Sequence, residues 1–121
     1  MSILKEIVEN TRSKIILRKA ERSLDAIQQI LKESEIPKGS FKDSLKDKDE
    51  AIIAEIKKAS PSAGIIAHDF NPIQKAKDYE AFGASALSIL TEEDFFMGSM
   101  QYLQDVKAVT SLPILRKDFM I

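Results

Sequence analysis

The fold is decided by residues 71–90, NPIQKAKDYEAFGASALSIL, in which a helix pattern passes into a strand pattern. Asn71 can cap a helix, Pro72 suits its first position, and Gly83 suits its end. The run ALSIL that begins at Ala86 is apolar on both faces, which is typical of a parallel strand covered on both sides. The stretch therefore predicts a helix that leads into a buried strand.

The flanking sequence repeats this pattern on both sides. AIIAEI from Ala51 predicts a strand, GSMQYLQDVKAVT predicts a helix capped by Ser99, and LPILRKDFMI from Leu112 predicts a further strand. The order strand, helix, strand, helix, strand belongs either to an open doubly wound sheet or to a (β/α)₈ barrel. A barrel needs roughly 250 residues, so the 121 residues are interpreted as an incomplete opening segment. The helix in 71–90 is predicted to bury a stripe made of Ile73, Ala76, Tyr79 and Phe82.

The N-terminal part has a different pattern. Apolar residues at helical spacing predict two helices between residues 3 and about 33, with Ser23 as the N-cap of the second. The loop IPKGS, the short segment FKDSL and the charged linker KDKDE follow. We therefore expect a helical extension over residues 1–47 and the first part of a barrel over residues 48–121.

Composition excludes several classes of partner. The chain has 18 Lys plus Arg, 19 Asp plus Glu and a formal net charge of -1, so no field of one sign would attract nucleic acid or a membrane surface. Cysteine is absent, which excludes disulfides and thiolate metal sites. No signal peptide or membrane span is predicted. We expect a cytoplasmic protein whose partner is a small molecule or another protein.

Charged residues stand at the ends of two predicted strands. Alternation places Glu55 and Lys57 on one face of the first strand, and Lys117 has a similar position on the third. In parallel α/β folds this end of the strands binds ligands. Each lysine alone is better explained as a solvated side chain. The three charges together leave two interpretations open, namely solvated strand ends or a site in which a partly desolvated lysine acts as a general acid.

Other candidate site residues indicate a function less clearly than these three charges. SPSAG at 60–64 is either a loop that brings backbone N–H groups to a phosphate or an ordinary turn. His68 lacks partners at catalytic or metal-binding spacing and is predicted to lie at the surface. Phe95, Phe96 and Met97 are interpreted as core residues, and Asp69, Glu92 and Glu93 as helix-start or loop carboxylates.

Several long motifs in register resemble one family. IIAEIKKASPSAG, DFNP, YEAFGASALSILTEEDFFMGS and PILRKDF are similar to indole-3-glycerol phosphate synthase of tryptophan biosynthesis, over residues 51–121. The N-terminal helices resemble the family's extension over its barrel. The resemblance implies a (β/α)₈ TIM barrel and a carboxy-lyase. It also implies ring closure of 1-(2-carboxyphenylamino)-1-deoxyribulose 5-phosphate with loss of carbon dioxide and water, without a cofactor or metal.

The resemblance also implies roles for individual residues. Lys117 corresponds to the general acid that protonates the ribulose carbonyl, Lys57 to the lysine that holds the substrate's anionic groups and assists proton transfer, and Glu55 to the carboxylate that orients both. Ser60 and Pro61 correspond to the loop that lines the site. Phe96 and Phe119 correspond to apolar walls against the anthranilate ring.

The chain departs from the family pattern in two respects. Many members carry a lysine where this chain has Ala63. The family's second half supplies a further catalytic glutamate and asparagine and the phosphate-binding loops, so these residues by themselves are expected to be inactive and to self-associate or to pair with the missing half. Two alternatives stay open, namely an assembly module that needs a complementary segment and a related sugar-phosphate barrel enzyme such as an isomerase.

Overall fold

The computed structural model describes residues 2–35 and 40–121 and divides into two compact units. The first unit contains the two N-terminal helices and also residues Phe119–Ile121, and the second contains the remaining helices and the strands, up to Asp118. The predicted loop IPKGS lies outside the described residues apart from Ser40. The elements in chain order are α1 Ile3–Glu21, α2 Leu24–Glu33, α3 Phe41–Leu45, β1 Ile53–Ile56, β2 Ala59–Ser60, β3 Gly64–Ile65, α4 Pro72–Ala81, β4 Ala86–Leu90, α5 Met100–Lys107 and β5 Ile114–Lys117.

The predicted helix starts are confirmed by their capping bonds. Ser23 Oγ accepts from the backbone N–H of Ala26, and Asn71 Oδ1 accepts from that of Gln74. Ser99 Oγ likewise accepts from Gln101 at the start of α5. These side chains satisfy N–H groups that have no partner inside the helix. Local sequence therefore sets where each helix begins.

The second unit is built on a parallel sheet with the strand order β1-β4-β5. Both flanking strands pair with β4 in parallel, and the register places Glu55 beside Ser88 and Leu90 beside Lys117. All residues of β4 are buried, whereas β1 is buried only in part and β5 is mostly exposed. Of these three strands, only β4 is thus covered on both faces of the sheet. The core is formed by Ile56, Ala76, Leu87, Ile89 and Val106.

A short antiparallel hairpin follows β1 and was missed by the sequence analysis. Strands β2 and β3 enclose the SPSAG turn, in which Ser60 Oγ accepts from the Ala63 N–H at 3.2 Å. Gly64 has φ +65, a backbone conformation that glycine adopts without a steric penalty. The two-residue strands are too short for an alternation of apolar and polar residues to signal them.

The predicted buried stripe of α4 is wrong at one position. Ala76 is fully buried, and Ile73 and Tyr79 are partly buried, but Phe82 is 90% exposed. Phe82 is the C-cap residue of α4, with φ -90 and ψ 6, and the chain turns at Gly83 directly after it. Helical spacing no longer applies where the helix has ended, so Phe82 does not continue the stripe.

Candidate functional site

The charged residues at the carboxyl ends of β1 and β5 form one cluster around Glu55. Lys117 Nζ donates to Glu55 Oε2 at 2.8 Å, and Lys57 Nζ lies 3.4 Å from Glu55 Oε1. Each ammonium group therefore has its own carboxylate oxygen. The structure thus brings together the three charged residues that the sequence indicated, at the end of the sheet where parallel α/β folds bind ligands.

Ser88 lies between the two strands that carry this cluster. It is 3% exposed on β4, and its hydroxyl donates to Glu55 Oε2 at 3.4 Å. Strands β1 and β5 are separated by β4 and hence by about 9.5 Å, so Glu55 and Lys117 meet above the strand between them. A short side chain at position 88 leaves room for this contact.

The electrostatics of the cluster favour the ionised form of Glu55. Burial acts to raise the pKa of its carboxyl, but the hydrogen bond and charge of Lys117, together with those of Lys57, outweigh burial and lower the pKa below the usual value of 4.5. Side-chain exposure of 30% for Glu55, 33% for Lys57 and 52% for Lys117 leaves the lysines accessible to a ligand. The arrangement can bind anionic groups and deliver a proton.

The loop between β4 and α5 is held by a buried carboxylate. Glu92 is 5% exposed and accepts the backbone N–H groups of Asp94, Phe95 and Phe96 at 2.7–2.9 Å. Its assignment as a loop carboxylate is consistent with this geometry. The loop closes at Gly98, whose N–H donates to the Glu92 carbonyl oxygen at 2.7 Å.

The other predicted site residues lie in three different segments of the chain. Ser60 and Pro61 form the hairpin turn after β1, and the Ser60 hydroxyl is used within that turn. Phe96 is partly buried in the loop after β4, whereas Phe119 lies just beyond β5 and belongs to the first unit. His68 is exposed, as predicted.

Sequence reasoning missed Ser88 and a second polar group behind Lys117. The signal for Ser88 is present, because it is the polar residue within the apolar run ALSIL. The second group consists of Thr91, Arg116 and Asp118, and Thr91 Oγ1 donates to Asp118 Oδ2 at 2.6 Å. No sequence pattern links a threonine after one strand to an aspartate after another, so only the sheet register reveals this bond.

Residues 2–35 and 40–121 contain neither a metal-binding cluster of acidic, His or Cys side chains nor a membrane-spanning helix. Within these ranges no group of three or more His, Cys, Asp or Glu side chains could hold a metal ion. No helix in the same ranges is long and apolar enough to cross a bilayer.

The parallel sheet, with a carboxylate and two ammonium groups at its carboxyl end, defines an α/β protein of the class that binds ligands at the ends of its strands. Comparison with known proteins narrows the class. The sequence model of indole-3-glycerol phosphate synthase matches residues 4–121. The chain belongs to the indole-3-glycerol phosphate synthase family.

Individual relatives support this assignment. The indole-3-glycerol phosphate synthase of Chlorobium luteolum is 46% identical over 123 residues, covering 100% of this chain and 47% of that protein. That of Clostridium acetobutylicum is 45% identical over 98% of this chain and 45% of its own length. That of Ruminiclostridium cellulolyticum is 57% identical over 82 residues, which are 68% of this chain and 32% of that protein. The chain spans about half the length of the first two relatives.

Proposed function

We propose that this chain contributes the general-acid half of an indole-3-glycerol phosphate synthase site. The reaction closes the ring of 1-(2-carboxyphenylamino)-1-deoxyribulose 5-phosphate and releases carbon dioxide and water. The cluster of Lys117, Glu55 and Lys57 is the observation that carries this proposal, because ring closure needs an acid at a carbonyl oxygen and a cation near a carboxylate. Family membership supports the choice of reaction.

Lys117 is the proposed general acid. The aromatic carbon that bears the carboxylate attacks the ribulose carbonyl carbon, and the Lys117 ammonium protonates the carbonyl oxygen as the new carbon–carbon bond forms. The carboxylate then leaves as carbon dioxide, and its bonding electrons stay with the aromatic ring. The new hydroxyl takes up a further proton and leaves as water, while the neighbouring methylene carbon loses a proton and forms the ring double bond. The bond to Glu55 at 2.8 Å supports this role, since it directs the ammonium group to one place before substrate binds.

Lys57 and Glu55 complete the charged part of the proposed site. Lys57 binds the substrate's anionic groups and assists proton transfer, and Glu55 orients both lysines and the sugar hydroxyls. The lowered pKa of Glu55 supports this division, because an ionised carboxylate at neutral pH accepts hydrogen bonds from both ammonium groups.

The remaining roles follow the family pattern. Ser60 and Pro61 line the site from the hairpin turn, and Phe96 and Phe119 form apolar walls against the anthranilate ring. The proposed site needs neither a cofactor nor a metal, and its partner is a phosphorylated small molecule rather than nucleic acid or a membrane. We place the protein in the cytoplasm.

We also propose that this chain is part of a complete barrel. Residues 48–121 would form the first three strands and two helices of a (β/α)₈ barrel, preceded by a helical extension over residues 1–47. By themselves the 121 residues would not complete the reaction, and would instead pair with the second half of a family member or self-associate. The strand order supports this view, because β1 and β5 are the edge strands of the sheet and can pair with further strands.

A complementation assay tests the function. The chain is mixed with the C-terminal segment of the Chlorobium luteolum relative, and indole fluorescence is followed after substrate is added; this chain has no Trp and contributes little background. We expect signal from the mixture but not from either part alone. Lys117→Ala should lower the rate by about 10²–10⁴-fold, whereas Lys107→Ala on the exposed side of α5 should leave it unchanged.

The same assay separates the alternatives. Turnover by the chain alone would contradict its proposed dependence on a second half. A stable complex without activity on this substrate would contradict the synthase proposal and favour an assembly module. Isomerisation of a sugar phosphate by the complex would favour the related barrel enzyme.

A further inference from the structure

Three consecutive residues at the end of β5 all bond to Thr91. Arg116 Nε donates to Thr91 Oγ1 at 3.0 Å, the Thr91 N–H donates to the Lys117 carbonyl oxygen at 3.0 Å, and Thr91 Oγ1 donates to Asp118 Oδ2 at 2.6 Å. Thr91 directly follows β4 and is 3% exposed. Its hydroxyl thus accepts a hydrogen bond from one charged side chain and donates one to another. Hydrogen bonds that involve a charged group are stronger than those between neutral groups.

These bonds act on the residues that flank Lys117. Successive side chains along a strand point to opposite faces, so Arg116 and Asp118 lie opposite to the Lys117 side chain. Fixing both neighbours and the intervening carbonyl sets the direction in which the Lys117 side chain leaves the backbone. This matters because Lys117 is 52% exposed, and an exposed lysine otherwise retains much rotamer freedom.

We infer that Thr91 and Asp118 are positioning residues that hold Lys117 against Glu55. Their catalytic importance rests on the proposed function, in which Lys117 is the acid, but their effect on the geometry does not. Neither residue needs to touch substrate. The contact between Arg116 Nη2 and Asp118 Oδ2, at 3.5 Å, adds a weaker bond on the same side.

The Glu55 carboxyl provides a probe of this geometry without substrate. The charged groups bonded to it are Lys117 and Lys57, and Lys117 makes the larger contribution to its lowered pKa. If Lys117 moves away, the Glu55 pKa must rise. Loss of the negative charge of Asp118 would by itself lower that pKa, so the direction of change separates misplacement of Lys117 from a direct charge effect.

Thr91→Val is the main test, because it removes the hydroxyl, keeps the β-branched shape and changes no charge. Glu55 is titrated by carboxyl ¹³C NMR in the 121-residue chain, and thermal unfolding is measured in parallel. We expect an upward shift of the Glu55 midpoint in Thr91→Val and recovery of the original midpoint in Thr91→Ser. Thr110→Val is the matched control, since it removes a threonine bond to Glu80 at 3.0 Å in the segment before β5 and should not move the Glu55 midpoint.

Folded Thr91→Val with an unchanged Glu55 midpoint would overturn the inference, even if its unfolding temperature were lower. If Thr91→Val fails to fold, Asp118→Asn decides. A higher Glu55 midpoint in Asp118→Asn would support the positioning role, and an unchanged or lower one would contradict it. Because no substrate is present, failure of the synthase reaction in the complementation assay leaves this result unaffected.

Discussion

Lys117 Nζ lies 2.8 Å from Glu55 Oε2, although the two residues stand on strands that are not neighbours in the sheet. The contact crosses β4, and it joins residues 62 positions apart in the chain. Its existence depends on the register of two strand pairs and on the small residue between them.

A larger side chain at position 88 should separate Glu55 from Lys117. Ser88→Val places two methyl groups in the buried space over which the ion pair forms, and the Glu55 titration midpoint should rise as Lys117 is displaced. Ser88→Ala keeps the space open and serves as the control. Carboxyl ¹³C NMR measures both, and equal midpoints in the two variants would show that the space above β4 does not matter.

The Glu55 cluster should make stability depend on pH in one direction. The folded-state pKa of Glu55 lies below the usual value of 4.5, so its contribution is present above that value and is lost as the pH falls through the folded-state pKa. Glu55→Gln should therefore lower the free energy of unfolding at pH 7, and the difference should shrink on acidification. Because the Glu55 cluster is partly exposed to solvent, we expect this difference in unfolding free energy to be less than about 1 kcal/mol.

Urea unfolding at several pH values measures this difference. A Lys117→Met background gives the control, because the Glu55→Gln effect should be smaller when the principal partner is already absent. If the difference in unfolding free energy between the original chain and Glu55→Gln instead grew as the pH fell, the lowered pKa of Glu55 would be contradicted.

Removal of the Glu92 carboxylate should loosen the loop after β4. Glu92→Ala removes both carboxylate oxygens that accept from the N–H groups of residues 94–96. We expect the free energy of unfolding to fall by about 1–3 kcal/mol. Hydrogen exchange at these three amides should accelerate more than exchange in β4. Glu50→Ala, at an exposed position before β1, is the comparison variant. Unchanged exchange in Glu92→Ala would mean that the loop is held by other contacts.

Gly98 should tolerate no side chain. A Cβ atom there would clash with the Leu90 carbonyl oxygen and would lie 2.8 Å from that of Glu92. Gly98→Ala should therefore lower the free energy of unfolding by about 3 kcal/mol. Gly83→Ala is a matched control, because Gly83 has φ +94 but open space around it, and only backbone strain of about 1 kcal/mol is expected. Thermal unfolding compares them, and a smaller effect at Gly98 would contradict the crowding.

Much of the fold could be predicted because its signals are local. The caps at Ser23, Asn71 and Ser99 and the stop at Gly83 each depend on a few adjacent residues. The exposed Phe82 shows the limit of this reasoning, since its spacing fits the helix but the backbone has already left it. The β2–β3 hairpin was missed for the related reason that two-residue strands carry no periodicity.

Sequence patterns were enough to predict the three parallel strands with the helices between them, the charged residues at the strand ends and the family, because these depend on local patterns and on motifs in register. The tertiary structure alone decided which charges meet. The order β1-β4-β5 brings Lys117 to Glu55 across Ser88, and the same register brings Asp118 to Thr91. These contacts require strand pairing between distant segments, whose geometry no local pattern encodes.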